Sequence, residues 1–281
     1  AKLVKSFGLA SAAEDCDLIL NLPKLKTHRL MLYTGAIKNL LGLVPGLGKS
    51  SMHLRFPDRE RFGIMLVDLA FSLPKVFSLM DGVLAMEGEG PGDGDPRHLG
   101  LVLAARKAAH LDWAASSLLG YDPRRIAYIS DAFERSGRNP ASPHLSIGPM
   151  DFDSARAEGF AILPYGGPES AAIAAMPAFA RPFLKSVLSD RPIFLSEACV
   201  GCGACVGICP AGALDLVREA GGINRVRIDD GACITCFCCH EVCPAHAIRI
   251  GKAPFRSRSG RKPRGSGSPA HARGTGEGGI S

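Results

Sequence analysis

Outside one short stretch the sequence has almost no cysteine: of ten in 281 residues, only Cys16 lies outside positions 199–243. An oxidising compartment could staple that stretch with disulfides, but the rest of the chain reads as an ordinary cytosolic α/β sequence with a single Cys, so reduced thiols in a cytoplasmic protein are expected. Long apolar runs are lacking as well. The nearest candidate for a membrane helix, residues 62–80, is interrupted by Asp68 and Lys75, and falls short of the roughly 18 apolar residues that a span requires. No membrane span is expected. The fold also lacks a charge excess. Between Lys252 and the end of the chain, seven Lys or Arg stand against Glu277 alone, which accounts for the entire net charge of +6. A basic nucleic-acid-binding face on the fold is therefore not supported; any polyanion affinity would reside in the tail, which has no aromatic residue besides Phe255 on which bases would stack. Nucleic acid is not an expected partner.

What is present is ordinary globular composition, 46% hydrophobic and 21% charged. Residues 17–22 form a short apolar run closed by Pro23, which reads as a buried strand, and Lys24, Lys26 and His28 follow at period two. Ile37, Leu40, Leu41 and Val44 repeat with helical spacing and stop at Pro45-Gly46; Phe62, Met65, Leu66 and Leu69 mark a second helix over 58–73. Strands are expected at 76–85 and 99–104, with a Gly/Pro-rich loop at 87–96 between them, and a helix at 108–119 stopped by Gly120. This alternation predicts an α/β domain over residues 1–150. A linker with an Ala-rich helical piece is expected at 151–190, a separate module at 191–251, and a disordered basic tail at 252–281.

The module carries a duplicated motif. Cys199, Cys202, Cys205 and Cys209-Pro210 spell C-x2-C-x2-C-x3-C-P, and Cys233, Cys236, Cys239 and Cys243-Pro244 spell it again. Three thiolates on a tight loop hold three corners of a cubane, and the fourth Cys crosses to the other loop, as in bacterial two-cluster ferredoxins. Two [4Fe-4S] clusters are expected, one on Cys199, Cys202, Cys205 and Cys243, the other on Cys233, Cys236, Cys239 and Cys209. Structural zinc uses two C-x2-C pairs on tetrahedral corners, which eight cysteines in this arrangement fit poorly. Gly201, Gly203 and Gly207 would let backbone amides approach the sulfur atoms. Short strands at 213–217 and 226–229, with Phe237, would cover the clusters, giving a small α+β ferredoxin-like module. Cys238 is a ninth thiol, expected to point away from the cluster, with a redox or alternative-ligand role as the other option.

Several phrases occur in a telling order: Pro23-Lys-Leu-Lys-Thr-His28, Lys38-Asn39-Leu-Leu-Gly42, His53, Asp81-Gly82, Glu87-Gly-Glu-Gly-Pro91 and the helix of Asp112. Together they resemble the domain-of-unknown-function family 362, and the segment from Cys233 to Pro244 is similar to the ferredoxin module that often follows that domain. The resemblance covers about residues 17–150 and 191–250, and the N-terminal part of the domain is expected to precede residue 1. It implies an iron–sulfur protein and names no substrate.

From the residues themselves, Lys24, Lys26 and His28 share one face of their strand, and Lys38 approaches from the next helix. Such a group suits phosphate or carboxylate; a solvated charged edge is the plainer alternative. Asp81 would orient a lysine, act as a base, or cap a loop. Gly42–Ser50 misses the phosphate-loop spacing by one residue, and Gly88–Gly94 lacks a dinucleotide fingerprint. The sequence thus points to an electron-transfer protein, an oxidoreductase if the α/β domain holds an acceptor site. Its partner would be a small anionic acceptor or a redox protein. The alternative is a carrier, assembly or sensing factor whose α/β domain only docks another protein.

Overall fold

Strand β1 (Ile19–Asn21) ends at Pro23, whose missing N–H cannot continue a ladder, and β2 (Lys24–His28) starts immediately after it. Both lie parallel to one edge of a long strand β4 (Val76–Glu89): Ile19 to Asn21 face Val76 to Ser78, Lys24 faces Asp81, and Lys26 faces Met86. That change of register between Lys24 and Lys26 marks an irregularity in the sheet. Strand β3 (Leu32–Thr34) returns antiparallel to β2, and β5 (Asp93–Ala105) runs antiparallel along the other edge of β4. The computed structural model describes residues 1–46, 48–141, 151–165, 177, 190–218, 222 and 224–252.

One face of this sheet is packed by helices. These are α2 (Ala36–Asn39), which tightens into a 3-10 turn at Leu40–Leu43, and α4 (Arg59–Ser72), capped by Asp58 accepting from the Arg61 N–H. With them pack α5 (Ala108–Leu118) and α6 (Ala127–Arg135). Two short helices complete the set: α1 (Ser11–Glu14) near β1 and α3 (Gly48–Arg55) ahead of α4. The core is built of Leu25, Tyr33, Ile37, Phe62, Met65, Leu69, Met80, Leu118 and Phe133, all essentially sealed from solvent. On the opposite side of the sheet, Leu20, Leu22, Leu79, Val83 and Val102 remain exposed.

Two expectations are corrected here. The Gly/Pro-rich segment 87–96 is not a free loop: β4 and β5 extend into it, pairing Glu87 with Asp95 and Glu89 with Asp93, and only residues 90–92 turn. Glycine-rich composition hid the pairing because a two-stranded extension needs no apolar alternation. The start of the linker expected at 151–190 belongs instead to the α/β domain: Ala155, Phe160 and Leu163 are buried in its core, and the Leu163 N–H donates to the buried Tyr121 hydroxyl. Their irregular spacing leaves no periodic signal. The Ala-rich helical piece expected around 169–188, apart from Pro177, and the tail beyond residue 252 lie outside the described residues.

The C-terminal region is a small α+β unit. Strands β6 (Arg191–Phe194) and β9 (Ile248–Gly251) pair antiparallel, as do β7 (Leu214–Arg218) and β8 (Asn224–Ile228). Between them lie two helices, α7 (Ala204–Ile208) and α8 (Cys238–Glu241). The β6–β9 pair was not legible, because its two strands stand at opposite ends of the module.

Candidate functional site

The eight motif cysteines form two groups. Cys199, Cys202, Cys205 and Cys243 line one small cavity with Phe194, Val226 and Ile248. Cys209, Cys233, Cys236 and Cys239 line a second, with Leu214, Ile228 and Phe237. Each cavity takes three thiols from one loop and the fourth from the other half. Among the described residues, no three His, Cys, Asp or Glu close around a single ion; the thiols ring a space instead.

The two halves repeat one backbone. Left-handed residues stand at Gly201 and Gly203 in the first half and at Thr235 and Phe237, the equivalent positions, in the second. A Cβ at Gly201 would come within 2.7 Å of the Asn224 carbonyl oxygen, so this glycine is required by contact as well as by conformation. Gly207, by contrast, sits in α7 with open space around it and serves no such purpose. The Ala213 N–H donates to Cys209 Sγ and the Ala247 N–H to Cys243 Sγ, both at 3.3 Å, so each crossing cysteine receives one amide. Cys238 does not point away: it is buried among the residues that line the second cavity, and its thiol donates a hydrogen bond to the Cys236 sulfur.

The second cavity abuts the α/β domain through α8. His240 Nε2 meets Asp93 Oδ2 at 2.9 Å, and Glu241 Oε1 lies 3.4 Å from His28 Nε2. The tip of the β4–β5 hairpin makes the approach possible, since a Cβ on Gly92 would fall 2.7 Å from the His240 ring. Arg29 ties the same corner together by pairing with Glu89 of β4 and with Asp190 just ahead of β6.

Behind this contact the α/β domain presents four nitrogen-bearing side chains. Lys26 and His28 share a face of β2, while Leu25 and Thr27 turn into the core. Lys38 comes from α2, and His53 from α3, stacked on Phe62 at 4.2 Å. His28 Nδ1 accepts N–H groups from Leu30 and Met31 at 3.2 and 3.3 Å, which leaves the proton on Nε2, facing Glu241. Burial, reinforced by the Lys38 charge, lowers His28 to about 4 and His53 likewise. Both rings are neutral at physiological pH. Burial and the neighbouring Lys26 also pull Lys38 below the ordinary lysine value, against the opposing pull of Glu241 and Cys238. Burial alone would raise Glu241, but the facing His28 imidazole and the Lys38 charge outweigh that and hold it at about 2.

Helix α2 is positioned by Asp112 of α5, whose carboxylate accepts the N–H groups of Ala36 at 2.6 Å and Ile37 at 2.9 Å and the Tyr33 hydroxyl at 3.1 Å. Gly35 must be glycine, because a Cβ there would lie 2.2 Å from Asp112 Oδ1. Of the candidates read from sequence, Lys26, His28 and Lys38 come together. Lys24 and Asp81 do not join them; they form an exposed ion pair at 2.6 Å farther along the sheet, with Asp81 also accepting the Val83 N–H. Glu241, His240 and Asp93 went unrecognised. The signal available for the first two was two titratable residues directly after Cys239 of the repeated motif.

Residues 1–117 match the family described as a domain of unknown function, DUF362, and residues 198–247 match the 4Fe-4S dicluster domain. The chain thus carries, in order, a segment that matches DUF362 and a segment that matches a 4Fe-4S domain of ferredoxin type. It is also similar to a thylakoid-associated protein of Synechocystis sp., with 41% identity over 140 residues, 50% of this chain and 43% of that protein. The chain therefore spans less than half the length of that relative. Among the described residues, no helix is long and apolar enough to cross a membrane.

Proposed function

We propose that the C-terminal module holds two [4Fe-4S] clusters, with the crossed ligand sets given by the two cavities. On this reading it passes electrons to or from the Lys26/His28/Lys38 corner of the α/β domain. The observation that carries the reading is the contact of α8 with that corner: the residues following Cys239 are the ones that touch His28 and Asp93.

When bound, such clusters supply one-electron storage and transfer at low potential. The chain's own residues do the rest. Leu214, Ile248, Phe194, Val226 and Ile228 pack around the buried Cys205 and Cys239 and exclude water. The amides of Ala213 and Ala247 stabilise negative charge on sulfur. His28 and Glu241 fix the distance between module and corner with a neutral donor facing a carboxylate, so the contact keeps its charge state between pH 5 and 8. Reduced thiols require a reducing compartment, and a cytoplasmic location belongs to the same proposal.

The test is the double variant K26A/H28A, studied anaerobically. Iron and sulfide content should match the parent while the EPR signal or potential of one cluster shifts and the other stays put. If neither cluster responds, the α/β domain is a docking platform for a partner protein and the relay reading fails.

A further inference from the structure

We propose that Lys26, Lys38, His28 and His53 form a binding site for a small oxyanion, a carboxylate or phosphate group, at the junction between the α/β domain and the second four-cysteine cavity. The site rests on the relay reading above and names the kind of molecule that would meet the electrons there.

Lys26 and Lys38 are half-buried, and among the described residues neither ammonium group has a hydrogen-bond or ion-pair partner. Partly desolvated charges without an acceptor are costly, so a site that keeps two of them side by side is built to receive one. The carboxylate at hand, that of Glu241, is a single charge against two and is turned toward His28. A second observation points the same way. His28 is 3% exposed, and among the described residues its Nε2–H makes no hydrogen bond: the Glu241 oxygen that faces it stays 3.4 Å away, beyond the usual N–H···O range. His53 adds a second imidazole beside Lys38. An oxyanion placed among these groups would accept from two ammonium donors and from neutral ring N–H. Lys26 and His28 are two strand positions apart, about 7 Å, which suits one carboxylate or phosphate head rather than an extended polyanion.

The experiment uses the full chain with its clusters in the oxidised state, titrated calorimetrically with inorganic phosphate and, separately, with oxalate. Saturable binding of at least one, near one per chain, is expected, and the pair of probes separates a phosphate from a carboxylate preference. K38A and K26A should each weaken it at least tenfold, whereas K24A should not change it. If K38A loses iron or folds poorly, Lys38→Arg and Lys38→Gln replace it, with binding kept in the first and lost in the second. No saturable binding, or binding that survives both lysine variants, overturns the site. So does a K38A shift in cluster potential in a protein that binds neither anion, since the lysines would then only balance the charge of the metal centre. Binding that depends on Lys38 but leaves both EPR signals untouched sustains the site and removes the relay.

Discussion

Asp112 shows how one buried side chain sets the geometry of a site it does not enter. It is sealed from solvent, and burial raises its pKa to about 7 despite three hydrogen bonds that pull the other way. Asparagine there would present an amide N–H to a backbone N–H, leaving one donor unsatisfied at a cost of about 1–3 kcal/mol. D112N should therefore lower stability by that amount in denaturant titrations and loosen α2, which carries Lys38. His53 gives a pH signature. A histidine whose pKa falls from 6.5 to about 4 on folding binds fewer protons than the unfolded chain in that window, so stability falls as pH drops from 6.5 to 4, by up to about 1.4 kcal/mol per unit. His28 acts in the same direction. Asp112, with its raised pKa, opposes them, so two groups outweigh one and the net slope stays positive. His53→Gln should flatten the dependence of unfolding free energy on pH between 4 and 6.5; an unchanged slope would show that His53 is not held neutral. Lys26, His28 and Lys38 were legible as a group because period two along a strand puts alternate residues on one face. Glu241 was not, because nothing in its local sequence says which surface its helix will meet.

Among the elements, the β4–β5 hairpin ties the parts together. Its tip approaches Thr27 and His240 so closely that Gly90 and Gly92 each leave no room for a Cβ, at 2.4 Å from the Thr27 carbonyl oxygen and 2.7 Å from the His240 ring. G92A should push α8 off the sheet without unfolding either part. Hydrogen exchange should then rise at residues 28–31 and 238–242 and stay at parent levels in α4 and α5; uniform protection would contradict the docking role. Helices α4 and α5 were readable from their apolar content and stop signals, although each is buried around most of its circumference rather than along one stripe. The extension of the hairpin was not, because its ladder is held by backbone hydrogen bonds between residues that carry no alternating pattern. The sheet's irregularity at Lys24–Lys26 is the reason Lys24 falls out of the site: β4 advances five residues while β2 advances two.

At the scale of the whole molecule, the crossed cysteine sets make the module one unit rather than two loops in series. The crossing is testable by triple substitution. Changing Cys199, Cys202 and Cys243 to Ser should empty one cavity and leave the second fully liganded, with about half the parent iron. Changing Cys199, Cys202 and Cys209 should damage both. The opposite pattern would mean that each run holds its own cluster. The duplicated spacing was visible in the sequence because cluster chemistry constrains it tightly, whereas the seating of the second cavity on the α/β domain depends on long-range contacts such as His240 with Asp93. The central claim is best tested by an EPR-monitored redox titration of the anaerobically purified chain, with iron and sulfide counted on the same sample. Roughly eight irons and two clusters that reduce reversibly at low potential are predicted, with one signal altered in K26A/H28A. Fewer than four irons, or clusters that cannot be reduced, would contradict an electron-transfer role.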